Sequence, residues 1–141
     1  MSTPLRADRR VFIVLFFLTI AAHASAGTVT MCKSVGDDCQ AVDPTTEFPE
    51  GTKDVYAVFK LDDKEKGKIT ALHSRWVAVD VGDVAEPNTE IGAADNELNG
   101  ADRGKLSFTL PRPMPVGKYR LEVQADGKPW KTADFTVGKK K

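Results

Sequence analysis

The chain has 141 residues, 20 of them Lys or Arg and 20 Asp or Glu, for a formal net charge of zero. A near-neutral chain lacks the basic surface that nucleic acid demands, so no nucleic-acid partner is expected. The length suits one domain, large enough to bury most of its apolar surface.

The first stretch is set apart from the rest. Arg6, Arg9 and Arg10 precede a 12-residue apolar run, Val11 to Ala22, and Ala24 and Ala26 then occupy the small-residue positions of an A-x-A cleavage site. That order is the order of a secretory signal peptide; a membrane span needs about 20 apolar residues. Cleavage is expected after Ala26, giving a signal peptide, 1–26, and a single domain, 27–141, with no transmembrane anchor after cleavage. Gly27 rather than Cys follows the cut, which argues against a lipid anchor. The domain keeps 17 basic and 19 acidic residues, a net charge of −2. Export to the periplasm or the extracellular space follows, and the closing Lys139–Lys141 reads as a solvated tail.

Cys32 and Cys39 are the only cysteines. In an oxidising compartment a disulfide between them is the expected state, worth roughly 2–3 kcal/mol for so short a loop. Zinc would need four ligands, usually Cys and His, and the segment after Ala26 holds one His.

Strand patterns then follow in order, without a helical period. "DVYAVFKL" alternates, with Val55, Ala57, Phe59 and Leu61 on one face, and reads as a central strand. "DDKEKGK" is a charged turn around Gly67. In "ITALHSRWVAVDVG", Leu72, Trp76 and Ala78 share one face and Val77, Val79 and Val81 the other, which predicts a bulge near Trp76 or burial on both faces. "KLSFTL" turns Leu106, Phe108 and Leu110 inward, and "PRPMP" breaks the chain. "KYRLEVQA" alternates again from Tyr119. Asp126–Gly127 is a strong hairpin signal, since both turn positions need positive φ. "TADFTV" returns with Ala133, Phe135 and Val137 inward, and Pro129 marks an edge strand or a bulge.

These elements predict an all-β fold, an immunoglobulin-like antiparallel β-sandwich of about seven strands. Trp76 lies mid-strand where such folds keep a core Trp, and Tyr119 begins the penultimate strand, where a tyrosine corner sits. The inter-sheet disulfide of antibody domains is missing.

"VYAVF", Trp76, "NTEIGAADNELNG", "LSFTLPRP", "PVGKYRLEVQADGK" and "ADFTV", from about Phe48 to Val137, together resemble a widespread group of bacterial exported proteins with an immunoglobulin-like β-sandwich domain. The resemblance implies fold and export, and carries over no catalytic or ligand residue. The chain departs from the group at Met114, where members often place a Trp, and in a shorter loop there.

Candidate chemistry is sparse. His73 sits within the long strand; Ser74 next to it points to the opposite face, and Asp80 shares the parity of Ser74, so no Ser–His–Asp set forms. The segment Asp83 to Asp102 holds six acidic residues and no Lys or Arg. Within it Asp95, Glu97 and Asn99 alternate before Gly100 and, with Asp102, partly resemble a calcium loop, although Leu106 stands where a Glu belongs. A solvated connection is the plainer account of this segment. Paired carboxylates for glycoside hydrolysis need a cleft and a set separation, which a small sandwich disfavours. Trp130 shares parity with Thr132, Asp134 and Thr136. Either a bulge at Pro129 turns it inward or it caps the end of the sandwich, or it is an exposed anchor flanked by Lys128 and Lys131, since Trp is enriched at interaction hot spots. The expected function is a non-catalytic exported module binding a protein partner or a cell-envelope component, by an exposed sheet face or by strand addition near Trp130. The alternative is a calcium- or carbohydrate-binding adhesive domain using the acidic 83–102 segment. No cofactor is expected, calcium being the one candidate.

Overall fold

The alternation of "DVYAVFK" becomes a seven-residue strand at the centre of a sheet. The structure is a computed structural model describing residues 27–138; the expected signal peptide, 1–26, and Lys139–Lys141 lie outside those residues. Among the described residues nine strands form two sheets. The first has the order β2-β1-β4-β7, from β1 (Thr28–Val35), β2 (Ala41–Pro44), β4 (Asp54–Lys60) and β7 (Arg103–Thr109). The second has the order β3-β9-β8-β5-β6, from β3 (Glu47–Phe48), β5 (Ala71–Asp80), β6 (Thr89–Glu97), β8 (Gly117–Ala125) and β9 (Lys128–Val137). Every pairing is antiparallel except the short one between β3 and β9. With β4 against β7, and β5, β8 and β9 adjacent, this is the B–E and C–F–G arrangement of an immunoglobulin-like sandwich.

The core is the expected set of inward residues. Val55, Ala57, Phe59 and Leu61 meet Leu72, Trp76, Leu106, Tyr119, Leu121, Val123, Phe135 and Val137 in one buried cluster. Trp76 stacks on Phe108 from the facing sheet, ring centroids 5.6 Å apart, and meets the Phe135 ring edge-on at 6.1 Å. Tyr119 forms the tyrosine corner: its hydroxyl donates to the Pro115 carbonyl at 2.5 Å. Two residues on, where antibody domains place the second Cys of their inter-sheet bridge, Leu121 is fully buried opposite Trp76. Aliphatic packing takes the place of that bridge.

The bulge expected near Trp76 is present, between Trp76 and Val77 against β6, and a second lies between Ala78 and Asp80 against β8. The second reverses the alternation, so Val81 joins the core while Val77 is covered on the outer face. In register Val77 lies between Glu90 and Arg120. Across this face Arg75 bonds Glu90 at 2.8 Å and Glu122 at 2.6 Å, and Arg120 bonds Asp134 at 3.2 Å. Both carboxylates, Glu90 first, raise the Arg75 pKa further.

Two expectations are corrected. Residues 83–102 are more than a solvated connection, because Thr89–Glu97 forms the edge strand β6. The strand fits because Gly92, opposite Trp76, leaves room for the Phe108 ring; a Cβ there would lie 2.5 Å from its Cε1. Cys32 and Cys39 form no disulfide: both are free thiols. The β1–β2 ladder sets Cys32 opposite Pro44 and leaves Cys39 in the turn beyond the Val35–Ala41 pair. Three ladder rows are roughly 10 Å of strand, more than the ~7 Å between Cα atoms that a disulfide tolerates. The Cys32 thiol instead points at the Tyr56 carbonyl, 3.8 Å away, and burial raises its pKa.

Candidate functional site

The exposed backbone of β9 is built from its pairing. Its inner edge ladders with β8 along the whole strand, whereas β3 covers only Thr136 and Val137 on the outer edge. Thr136 N–H donates to the Thr46 carbonyl at 2.9 Å, so the outward direction belongs to the even residues. By the strand period, Thr132 and Asp134 turn their N–H and C=O groups to the same edge, where no strand lies among the described residues. Beside them runs a cleft of about 530 Å³ between β9 and β1, lined by Val29, Met31, Thr45, Thr46, Thr132 and Asp134 among others. An extended chain laid there would continue the line β3 begins, using hydrogen bonds already directed outward.

Trp130 lies at the start of this edge. The β8–β9 register jumps from Val123–Lys131 to Gln124–Pro129, so Trp130 is the extra residue of a bulge. The bulge turns the ring inward: Trp130 is half-buried, packed against the core. Its indole N–H donates to Glu65 Oε2 at 2.9 Å, and the Lys131 ammonium sits 5.8 Å from the ring centroid. Lys128 and Pro129 are exposed. Trp130 therefore closes the end of the sandwich, and the outward backbone groups lie further along, at Thr132 and Asp134. Nothing in the sequence joined Glu65 to Trp130; the bulge that brings them together was signalled only by Pro129.

The other sequence candidates are dispersed. Asp95 is directly opposite His73, and its Oδ1 lies 2.6 Å from His73 Nδ1. Asp102 bonds Lys66 at 3.3 Å, and that lysine holds its carboxyl below the usual range. Glu97 ends β6, and Asn99 takes a φ of 49° in the following turn. Among the described residues no three His, Cys, Asp or Glu side chains gather as a metal set. Ser74 is buried on the face away from His73, its hydroxyl 3.4 Å from the Ala94 carbonyl. The His73–Asp95 contact was hidden in the sequence because β6 was.

At the opposite end of the sandwich a groove of about 450 Å³ lies between the Gly82–Val84 turn and the Pro111–Pro115 loop, floored by Ala78, Val81 and Tyr119. Val84, 67% exposed, stands on its rim. Met114, where the resembled group often places a Trp, is buried in the core. No helix among the described residues is long and apolar enough to cross a membrane.

This topology, with the tyrosine corner and the core Trp, defines an immunoglobulin-like β-sandwich. No family model matches the chain, and no curated protein matches it. Among solved structures it is similar to the soluble domain of PmoD from Methylocystis sp., with 13% identity and a TM-score of 0.52 over 79% of this chain and 90% of that one. It is also similar to an immunoglobulin-like protein from Pseudomonas aeruginosa, with 18% identity and a TM-score of 0.48 over 81% and 93%. A β-D-glucoside glucohydrolase from Trichoderma reesei matches over 80% of this chain but 18% of its own length, at a TM-score of 0.37. At such identities the likeness is one of fold alone.

Proposed function

We propose that this chain is an exported, non-catalytic immunoglobulin-like module of the widespread bacterial group it resembles, and that it holds a protein partner or a cell-envelope component by strand addition at the outer edge of β9. The observation that carries this reading is the half-covered edge: β3 pairs with Thr136 and Val137 and leaves the outward groups of Thr132 and Asp134 beside a cleft. Main-chain hydrogen bonds would supply affinity, and Lys131 and Asp134 on the flanks would select the guest. The basic and apolar stretches before Gly27 support export to the periplasm or beyond, and the dispersal of His73, Ser74 and the acidic residues supports a role without catalysis.

The test is site-specific photo-crosslinking from Asp134 in the full chain in its native host, with a matched probe at Lys105 on β7 as control. The expected result is one dominant adduct from Asp134 alone. Equal labelling from both positions would refute the edge as the binding surface.

A further inference from the structure

Gly27 follows the expected cleavage point directly, and it is buried. A Cβ on Gly27 would lie 2.5 Å from Glu65 Oε1, 2.6 Å from Trp130 Cζ2 and 3.2 Å from the Lys60 carbonyl oxygen. The position thus takes glycine for want of space, against a ring and a backbone carbonyl that have little room to move. Bond geometry puts the Gly27 nitrogen within roughly 5 Å of Glu65 Oε1. Glu65 is itself anchored: Oε1 accepts the Asp62 N–H at 3.0 Å and Oε2 accepts the Trp130 indole N–H at 2.9 Å. A carboxylate oxygen has lone pairs for more than one donor.

We infer that Glu65 and Trp130 form the seat of the processed N-terminus, in which the α-ammonium of Gly27 pairs with the Glu65 carboxylate. This rests on the export reading above. Hydrolysis of the Ala26–Gly27 amide by a signal peptidase takes up one water, leaves a carboxylate on Ala26 and frees the Gly27 nitrogen, which is protonated at neutral pH. Uncleaved, that nitrogen is a neutral amide. Cleaved, it becomes a cation packed beside the Trp130 ring, where a charge gains from a partner, and the facing carboxylate is already fixed by two hydrogen bonds. The other charged side chains on the elements around it are Asp62, Asp63, Lys64, Lys66 and Lys68 of the turn, Asp54 and Lys60 of β4, Lys33 of β1, and Lys128, Lys131 and Asp134 of β9. The Glu65 carboxylate and the Trp130 ring are the side chains nearest the Gly27 position. Processing thereby completes the end of the sandwich that Trp130 closes, and export and final stability are linked through one ion pair.

The experiment uses the full chain, exported by its host and purified. Intact mass first reports the N-terminus: a start at Gly27 is expected, and any other start overturns the inference together with the cleavage point. The α-amine is then selectively acetylated, which removes its charge, in the wild type and in Glu65→Gln. The expected result is a fall in melting temperature of about 2–4 °C in the wild type and none in the variant. An N-terminus at Gly27 with no fall in the wild type, or with equal falls in both, refutes the ion pair and leaves the export reading standing. Should Glu65→Gln not fold, dimethylation of the wild-type amine, which keeps the charge, replaces it as control. The melting temperature is then expected to hold, and a fall equal to that on acetylation overturns the pairing.

Discussion

The Tyr119 hydroxyl donates to the Pro115 carbonyl at 2.5 Å, across four residues, and so ties the Pro-rich loop to the start of β8. Burial of the ring pushes the phenol pKa up to about 12. Tyr119→Phe removes the donor and leaves a partly buried carbonyl unpaired, which costs about 1–2 kcal/mol with the fold retained. The raised pKa has its own consequence. The unfolded phenol ionises near 10 and the folded one near 12, so the unfolded state gives up its proton first as pH rises. Stability from this group is complete below about pH 10 and falls between 10 and 12. Urea melts at rising pH should show that fall in the wild type and lose it in Tyr119→Phe.

The Trp76–Phe108 stack depends on an absent side chain. Gly92 faces Trp76 across the β5–β6 ladder, and a Cβ there would lie 2.5 Å and 2.9 Å from two atoms of the Phe108 ring. Gly92→Ala is expected to destabilise the domain by about 1–3 kcal/mol through overpacking. Gly92→Ala combined with Phe108→Leu should recover part of that loss, because the clash is with the ring. A double-mutant cycle in denaturant checks the coupling, and simple additivity would disprove the contact.

Asp126 does more than turn the hairpin. Its carboxylate accepts the Thr70 N–H at 3.1 Å, the Thr70 hydroxyl at 2.7 Å and the Ala71 N–H at 3.0 Å, 55 or more residues away. Those bonds, led by the Thr70 hydroxyl, hold its pKa below the usual carboxylate value. A depressed folded pKa contributes stability above the unfolded value near 4 that is lost as pH falls through the folded one. The wild type should therefore lose stability on acidification below about pH 4, and Asp126→Asn should lose less over the same range. Asn tolerates the positive φ of 49° here, whereas Ala does not; Asp126→Ala is expected to be the weaker of the two variants.

Legible in the sequence are β4, β7, β8 and β9, whose apolar residues keep a period of two, and β5, whose length and apolar residues on both parities mark a strand covered on both faces. β6 was hidden because it is an edge whose only large apolar residue is Ile91, followed by Gly92, Ala93 and Ala94; its place is set by what it covers. β2 and β3 are too short to carry a period. The bulge at Pro129 was legible as a possibility. Its outcome depended on Glu65, whose approach from the turn after β4 is a tertiary fact. A Cys32–Cys39 bridge is what an oxidising compartment and a lone pair of cysteines lead one to expect, but neither carries the backbone geometry between them. The turn between them uses left-handed backbone at Asp38 and Cys39, a conformation their residue types scarcely announce.

The two thiols should differ in reactivity. Cys32 is fully buried in β1, its pKa raised by that burial, and Cys39 is partly exposed in the turn. Thiolate is the reacting form, so one thiol is expected to be alkylated under native conditions and the second only on unfolding. Intact mass before treatment should show both reduced, and peptide mapping should place the fast site at Cys39. A mass two units lower, or protection of both, would contradict the free thiols.

Proline at Thr132 separates the edge from the fold. Thr132 faces Glu122 in register, and the direction set by the Thr136–Thr46 bond makes its N–H outward, so the β8 ladder does not use it. Proline is tolerated in strands only where that holds. Thr132→Pro should change stability by no more than about 0.5 kcal/mol, while removing one donor from the open edge and obstructing a guest strand beside it. Ala133→Pro, one residue on, strikes the β8 ladder and should cost about 3 kcal/mol or more. Strand addition requires that capture of the partner fail in Thr132→Pro at wild-type stability. Capture that persists in this variant would place the binding surface elsewhere.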